Sequence, residues 1–207
     1  MVTVVALLSA CQAPTEPSGE HLTTDVPATS ALSEGPTELE WKNAYLDYVE
    51  SKKEETRLYA LVYVDGDDIP ELYLRGLSEA GGDCVCSYKS GRVIEQHLKR
   101  TGGGEYVERS GRMINQNGNM GRCYTDVYEL TENGFIKTLS ALSVERVEPI
   151  ENGEYTFAYD YSVEDKTVSE DDYNAAIHAA FDFARAARFD ENAVTYAEIK
   201  QQLTDRK

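Results

Sequence analysis

Apolar residues recur at helical spacing near both ends of residues 37–207 and at alternating spacing between. Trp41, Ala44, Tyr45, Tyr48 and Val49 form one helical stripe. Thr37-x-x-Glu40 stands before it as a capping box, and Lys52-Lys53-Glu54-Glu55 follows as a polar exit. At the far end, Tyr173, Ile177, Ala180, Phe181 and Ala184 make a second stripe. It follows Ser169, with Glu170, Asp171 and Asp172 in the first turn, where a helix dipole favours acid. Thr195-x-x-Glu198 caps a last short helix carrying Ile199 and Leu203.

Between the helices the period changes to two. Runs rich in aromatic and branched residues at 58–64, 69–74, 84–88, 92–98, 106–109, 123–130, 135–147 and 155–161 predict strands. The breaks between them carry turn chemistry: Asp65-Gly66-Asp67-Asp68, Lys89-Ser90-Gly91, Glu132-Asn133-Gly134 and Asn152-Gly153. Residues 115–121 and Thr101-Gly102-Gly103-Gly104 read as connections. The predicted fold is α+β, an antiparallel β-meander with an N-terminal helix and C-terminal helices packed on it, in a single domain over 37–207.

Residues 12–36 break the pattern. Pro14, Pro17, Pro27 and Pro36 are mixed with Ser, Thr, Gly and Glu without apolar periodicity, the composition of a linker. A flexible stretch of this length averages roughly 25–30 Å end to end. Before it, the apolar run from Val2 to Leu8 leads into Ser9, Ala10 and Cys11. Leu8-Ser9-Ala10-Cys11 resembles the lipobox of bacterial lipoproteins. That resemblance implies a signal-peptide remnant at 1–10, a lipidated Cys11 as first mature residue, and an extracytoplasmic protein anchored to the membrane by lipid. The run is too short to span a bilayer, which takes about 20 residues. Two acyl chains anchor without a spanning helix.

Charge narrows the partners. The chain has 37 acidic and 20 basic residues, a net charge of −17. Such a surface repels phosphate backbones and anionic lipid heads, which argues against nucleic-acid binding. It suits a solvated extracellular protein, and it suits cation binding.

The acidity has a local focus. Leu61-Val62-Tyr63-Val64-Asp65-Gly66-Asp67-Asp68-Ile69-Pro70-Glu71-Leu72 is similar to an Asp-x-Asp-Gly-x-Pro-Glu-Leu-type turn in uncharacterised secreted proteins and lipoproteins of clostridia-like Gram-positive anaerobes. More remotely it resembles EF-hand-like calcium loops, where alternate carboxylates converge hard oxygens on one Ca²⁺. The resemblance puts Asp65 and Asp67 at the second and third ligand positions and Glu71 at the closing one. Tyr63 stands at the first position and Asp68 replaces the turn glycine. The implied site is weak, of the millimolar extracellular type. The plain alternative is a hairpin turn held by hydrogen bonds that backbone N–H groups donate to the Asp65 and Asp67 carboxylates.

No motif names a reaction. Gly-x-Ser-x-Gly, His-Glu-x-x-His and a Walker loop are all missing from the sequence. Cys84 and Cys86, two apart on a strand, face one side. With Cys123 they leave open one disulfide plus a thiol, or three reduced thiols. Cys84 and Cys86 with Cys123 or His97 fall outside the usual zinc spacing, so small buried hydrophobes are the expected role. Tyr155, Phe157, Tyr159 and Tyr161 share a strand face. Core packing against a helix is the commoner use of such a face. The other use is a platform for sugar rings or a partner protein, with Tyr155, Tyr159 and Tyr161 as binding residues.

The composite expectation is a non-enzymatic lipoprotein with a binding or structural role at the cell surface, its partners cell-wall glycan or an envelope protein. The alternative is an extracytoplasmic hydrolase acting on glycan or peptide, which requires a cleft with two close carboxylates or a Cys–His pair.

Overall fold

The computed structural model describes residues 37–99, 102–150 and 154–205. The apolar leader, Cys11 and the linker at 12–36 lie outside them. The described chain is α+β and antiparallel throughout, as its alternation of periods predicts.

Helix α1 (Glu38–Lys52) starts at its capping box, where Glu40 Oε2 accepts the Thr37 backbone N–H at 2.7 Å. Four strands follow as a meander: β1 (Thr56–Val62), β2 (Glu71–Gly76), β3 (Asp83–Lys89) and β4 (Arg92–Leu98). A second meander has seven strands, β5 (Gly103–Val107), β6 (Arg112–Asn119), β7 (Arg122–Thr131), β8 (Gly134–Pro149), β9 (Tyr155–Val163), β10 (Lys166–Val168) and β11 (Ala186–Arg188), in the order β10-β9-β8-β7-β6-β5-β11. Helix α2 (Glu170–Ala180) carries the chain back so that β11 closes the edge beside β5, and α3 (Tyr196–Thr204) ends the fold.

Strand alternation sorts the side chains into four layers. Tyr59, Leu72, Leu74, Cys84, Cys86 and Tyr88 face α1 and α3, meeting Trp41, Tyr45, Val49, Ile199 and Leu203. Their neighbours in sequence, Ala60, Tyr73 and Val85, face the opposite way, onto Met113, Tyr128 and Leu130 of the larger sheet. That sheet turns Ile114, Val127 and Leu139 to its other side, against Tyr173, Ile177 and Phe181 of the α2 segment. Strand β3 is covered on both faces, and all seven of its residues are buried.

Three local expectations need correction. Residues 115–121 are mostly strand: β6 runs to Asn119 and pairs with both β5 and β7. Its polar sequence concealed this, yet Asn115 is buried, its amide donating to the carbonyls of Lys99 at 2.6 Å and Gly103 at 3.2 Å. Gly103 and Gly104 open β5, and a Cβ on Gly104 would lie 2.9 Å from Leu98 Cδ1 and 3.1 Å from Phe189. The α2 helix stops at Ala180, so Ala184 sits in a following 3₁₀ turn, Phe183–Arg185.

Candidate functional site

The acidic turn joins β1 to β2. Within it, the Asp65 Oδ1 atom accepts the Asp67 N–H at 3.1 Å, and Asp67 Oδ1 accepts the Ile69 N–H at 2.8 Å. Their outer oxygens converge on Lys89, whose Nζ lies 2.6 Å from Asp65 Oδ2 and 2.5 Å from Asp67 Oδ2. Lys89 is the last residue of β3, and the β2–β3 register delivers it to the turn: Leu72 pairs with Cys86, so the end of β3 runs past the start of β2. Burial opposes charge on Lys89, but the two carboxylates outweigh it and raise its pKa above the ordinary lysine value. Glu71 makes its hydrogen bonds beside that clasp, to other partners. It is fully buried, accepting the Val64 N–H at 2.8 Å and the Ser87 hydroxyl at 2.9 Å. Burial, helped by the Asp65 charge, pushes its carboxyl up to about 7. Tyr63 lies under the Arg109 guanidinium at 4.5 Å and accepts the Arg109 N–H at 2.9 Å. The structure therefore brings Asp65 and Asp67 together around a lysine, while the buried Glu71 bonds Val64 and Ser87. Lys89 reads in the sequence as the start of the Lys89-Ser90-Gly91 turn, and nothing local marks it as a partner for the acids.

The tyrosine face divides. Tyr161 is half-buried and packs on Tyr173 of α2, ring centroids 5.0 Å apart. Tyr155, Phe157 and Tyr159 are 67%, 61% and 47% exposed, which corrects the core-packing expectation for this face. The reason is strand length. Strand β7 pairs with β8 only as far as Val144, while β8 continues to Pro149 and pairs there with β9 alone. The result is a two-stranded ribbon with both faces outside the layers. Val147 lies directly across from Phe157 and is 58% exposed, extending the apolar row onto β8. Residues 151–153 at the ribbon's end lie outside the described residues.

A third cluster lies on the β3–β4 hairpin. Cys84 pairs with His97 and Cys86 with Glu95, so all four side chains share one face. The ligand atoms of Cys84, Glu95 and His97 all fall within 4.8 Å of one another. His97 Nε2 is 3.3 Å from Glu95 Oε1, and the two sulfurs are 3.7 Å apart. Tyr48 of α1 reaches over them, its hydroxyl bonded to Glu95 Oε2 and 3.8 Å from Cys84 Sγ. A hydrogen bond from Cys86 pulls the Cys84 thiol below its ordinary pKa, while burial pushes Cys86 up. A cleft of about 300 Å³, lined by Tyr48, Lys52, Leu74, Cys84 and His97, opens beside them. As expected, Cys84 and Cys86 are buried thiols, whereas Cys123 is an exposed one. Spacing along the chain alone does not bring Cys84, Cys86 and His97 together. Counting back across the hairpin from Ser90-Gly91 does, since positive φ angles of 50° and 78° there mark a two-residue turn and set the register.

Compared with protein-family models, with curated proteins and with solved structures, the chain matches none.

Proposed function

We propose that this chain is an extracytoplasmic lipoprotein, anchored through Cys11, whose domain binds neutral glycan of the cell wall without catalysis. The observation that carries the binding role is the exposed row Tyr155, Phe157 and Tyr159 on the projecting β8–β9 ribbon. Rings at alternate strand positions stand roughly 6.5–7 Å apart and present flat faces to stack on sugar rings. Glu145, paired with Tyr159 on the same face, offers an acceptor for hydroxyls. The net charge of −17 favours a neutral polymer over a phosphate-bearing one. No helix among the described residues is long and apolar enough to cross a membrane, and the anchoring rests on the lipobox resemblance. A Ca²⁺ in the acidic turn belongs to this reading only as a competitor that displaces Lys89.

Two measurements test it. Labelled fatty acid should enter the wild type and not Cys11→Ser. The full chain should sediment with purified cell-wall glycan, and the triple variant Tyr155→Ala, Phe157→Ala, Tyr159→Ala should stay in solution with an unchanged melt. Equal sedimentation of the two would sink the glycan role, and capture by an envelope protein alone would replace it.

One observation favours the hydrolase alternative: Cys84 and His97 are cross-strand neighbours beside a cleft. Two features weigh against it. Cys84 is only 8% exposed, and His97 Nε2 faces Glu95, which leaves that nitrogen turned toward a carboxylate. Turnover of a glycan or peptide lost in Cys84→Ser would favour the hydrolase.

A further inference from the structure

We propose that Cys84, Glu95 and His97 form a binding site for one divalent cation of the zinc class. The inference uses none of the ribbon residues and stands whether or not the glycan role does.

The donor set selects the metal. One thiolate, one imidazole and one carboxylate suit a borderline-soft ion, while calcium and magnesium demand oxygen alone. The distances suit it as well. With zinc–nitrogen and zinc–oxygen bonds of about 2.0–2.1 Å, tetrahedral ligand atoms stand roughly 3.3–3.4 Å apart. His97 Nε2 and Glu95 Oε1 stand 3.3 Å apart. A sulfur ligand at about 2.3 Å stands roughly 3.5 Å from the other two. The three donor atoms already lie within 4.8 Å of one another, and the movable partners are the exposed ones: the side chains of Glu95 and His97 are 42% and 67% exposed. Cys84 is the fixed member, held on the fully buried strand β3.

The surroundings supply the outer shell such a site needs. The Tyr48 hydroxyl holds the second oxygen of Glu95, which orients the first toward His97. The Cys86 thiol lies 3.7 Å from Cys84 Sγ and is placed to donate to its thiolate. On binding, Cys84 releases its proton to solvent, His97 binds as neutral imidazole and Glu95 as carboxylate. Three protein ligands leave a fourth position toward the cleft for water, the arrangement of an open zinc site.

The test uses the full chain carrying Cys11→Ser and Cys123→Ser, so that Cys84 and Cys86 are its only thiols. Cobalt(II) is added under reducing conditions and followed by absorbance. The expected result is one equivalent giving tetrahedral bands with a thiolate-to-cobalt charge-transfer band, bleached by Zn²⁺. Cys84→Ser and His97→Ala should each abolish the charge-transfer band, and Asp65→Asn should leave it unchanged. Tyr48→Phe should weaken binding roughly 10–100-fold at the same wavelengths, as loss of an outer-shell partner does. Should Cys84→Ser fail to fold, His97→Ala and Glu95→Gln at exposed positions decide, with thermal melts reporting their folding. No charge-transfer band in the chain carrying only Cys11→Ser and Cys123→Ser, or a band of equal strength when His97→Ala is added, overturns the site.

Discussion

Lys89 Nζ lies 2.6 Å from Asp65 Oδ2, so the cation at the centre of the acidic turn is one the chain supplies itself. Asp67 completes the clasp at 2.5 Å, and Lys89 is buried at 5% exposure. Strand β3 thereby locks the β1–β2 connection, and a carboxylate pair that resembles a metal loop already holds a cation from within.

Lys89→Met should therefore destabilise the fold by about 1–3 kcal/mol, between the limits for exposed and buried ion pairs, because it leaves Asp65 and Asp67 facing each other. It should also create a calcium response. Millimolar Ca²⁺ should raise the variant's melting temperature over that in EDTA while leaving the wild type where it was. A wild type stabilised as much as the variant would show that calcium displaces the lysine.

Glu71 gives the fold a pH dependence of definite sign. Its folded pKa, about 7, lies above the ordinary carboxylate value. Between roughly pH 4.5 and 7 the folded chain thus holds a proton that the unfolded chain has released. Its favourable contribution is complete below the unfolded pKa and is lost as pH rises through the folded one, by a few kcal/mol at most. Above about pH 7 the slope from this group vanishes. Subtracting the stability–pH curve of Glu71→Gln from that of the wild type should isolate this fall, and parallel curves would show that Glu71 titrates normally.

Gly102→Ala should destabilise by about 1–3 kcal/mol, the usual range for forced overpacking. A Cβ there would stand 2.4 Å from the Gln116 carbonyl oxygen, which accepts the Gly102 N–H at 2.9 Å. Gly91→Ala is the control for a second kind of cost. No atom lies within 4 Å of its Cβ position, but its φ of 78° disfavours any side chain. Chemical denaturation should show Gly102→Ala losing stability through packing and Gly91→Ala by about 1–2 kcal/mol through backbone strain.

What could be read from the sequence was what short-range physics controls. Both capping boxes form as their spacing implies, Thr195 repeating at α3 the geometry of Thr37 at α1. The shared face of residues 155–161 follows from strand alternation, whereas the hairpin turn falls at Glu132-Asn133, one residue before the expected Asn133-Gly134 centre. What escaped was set by contacts distant in sequence. Asn115 of β6 is polar and buried because it bonds Lys99 and Gly103, and Gly104 of β5 is small because Leu98 and Phe189 press on it. Lys89 meets the acidic turn, and His97 meets Cys84, only through strand register. The ribbon's exposure depends on where β7 begins, which the β9 sequence does not encode.

Two phenylalanines on opposite sides of that distinction make the final prediction. Phe189 is 1% exposed and lies between Tyr73 and Tyr106, ring centroids 5.3 and 4.9 Å away at interplanar angles of 13° and 27°. Phe157 is 61% exposed on the free ribbon. Replacing the buried ring with alanine removes its burial and leaves a cavity between two sheets, so Phe189→Ala should lose about 3–5 kcal/mol. Phe157→Ala should change stability by no more than about 0.5 kcal/mol, since surface substitutions seldom do more. Glycan sedimentation should show the reverse order, weakened by Phe157→Ala and kept by Phe189→Ala at a temperature where it is still folded. A stability cost at Phe157 close to that at Phe189 would mean that the ribbon packs against the rest of the chain in solution, and the aromatic row would then be core after all.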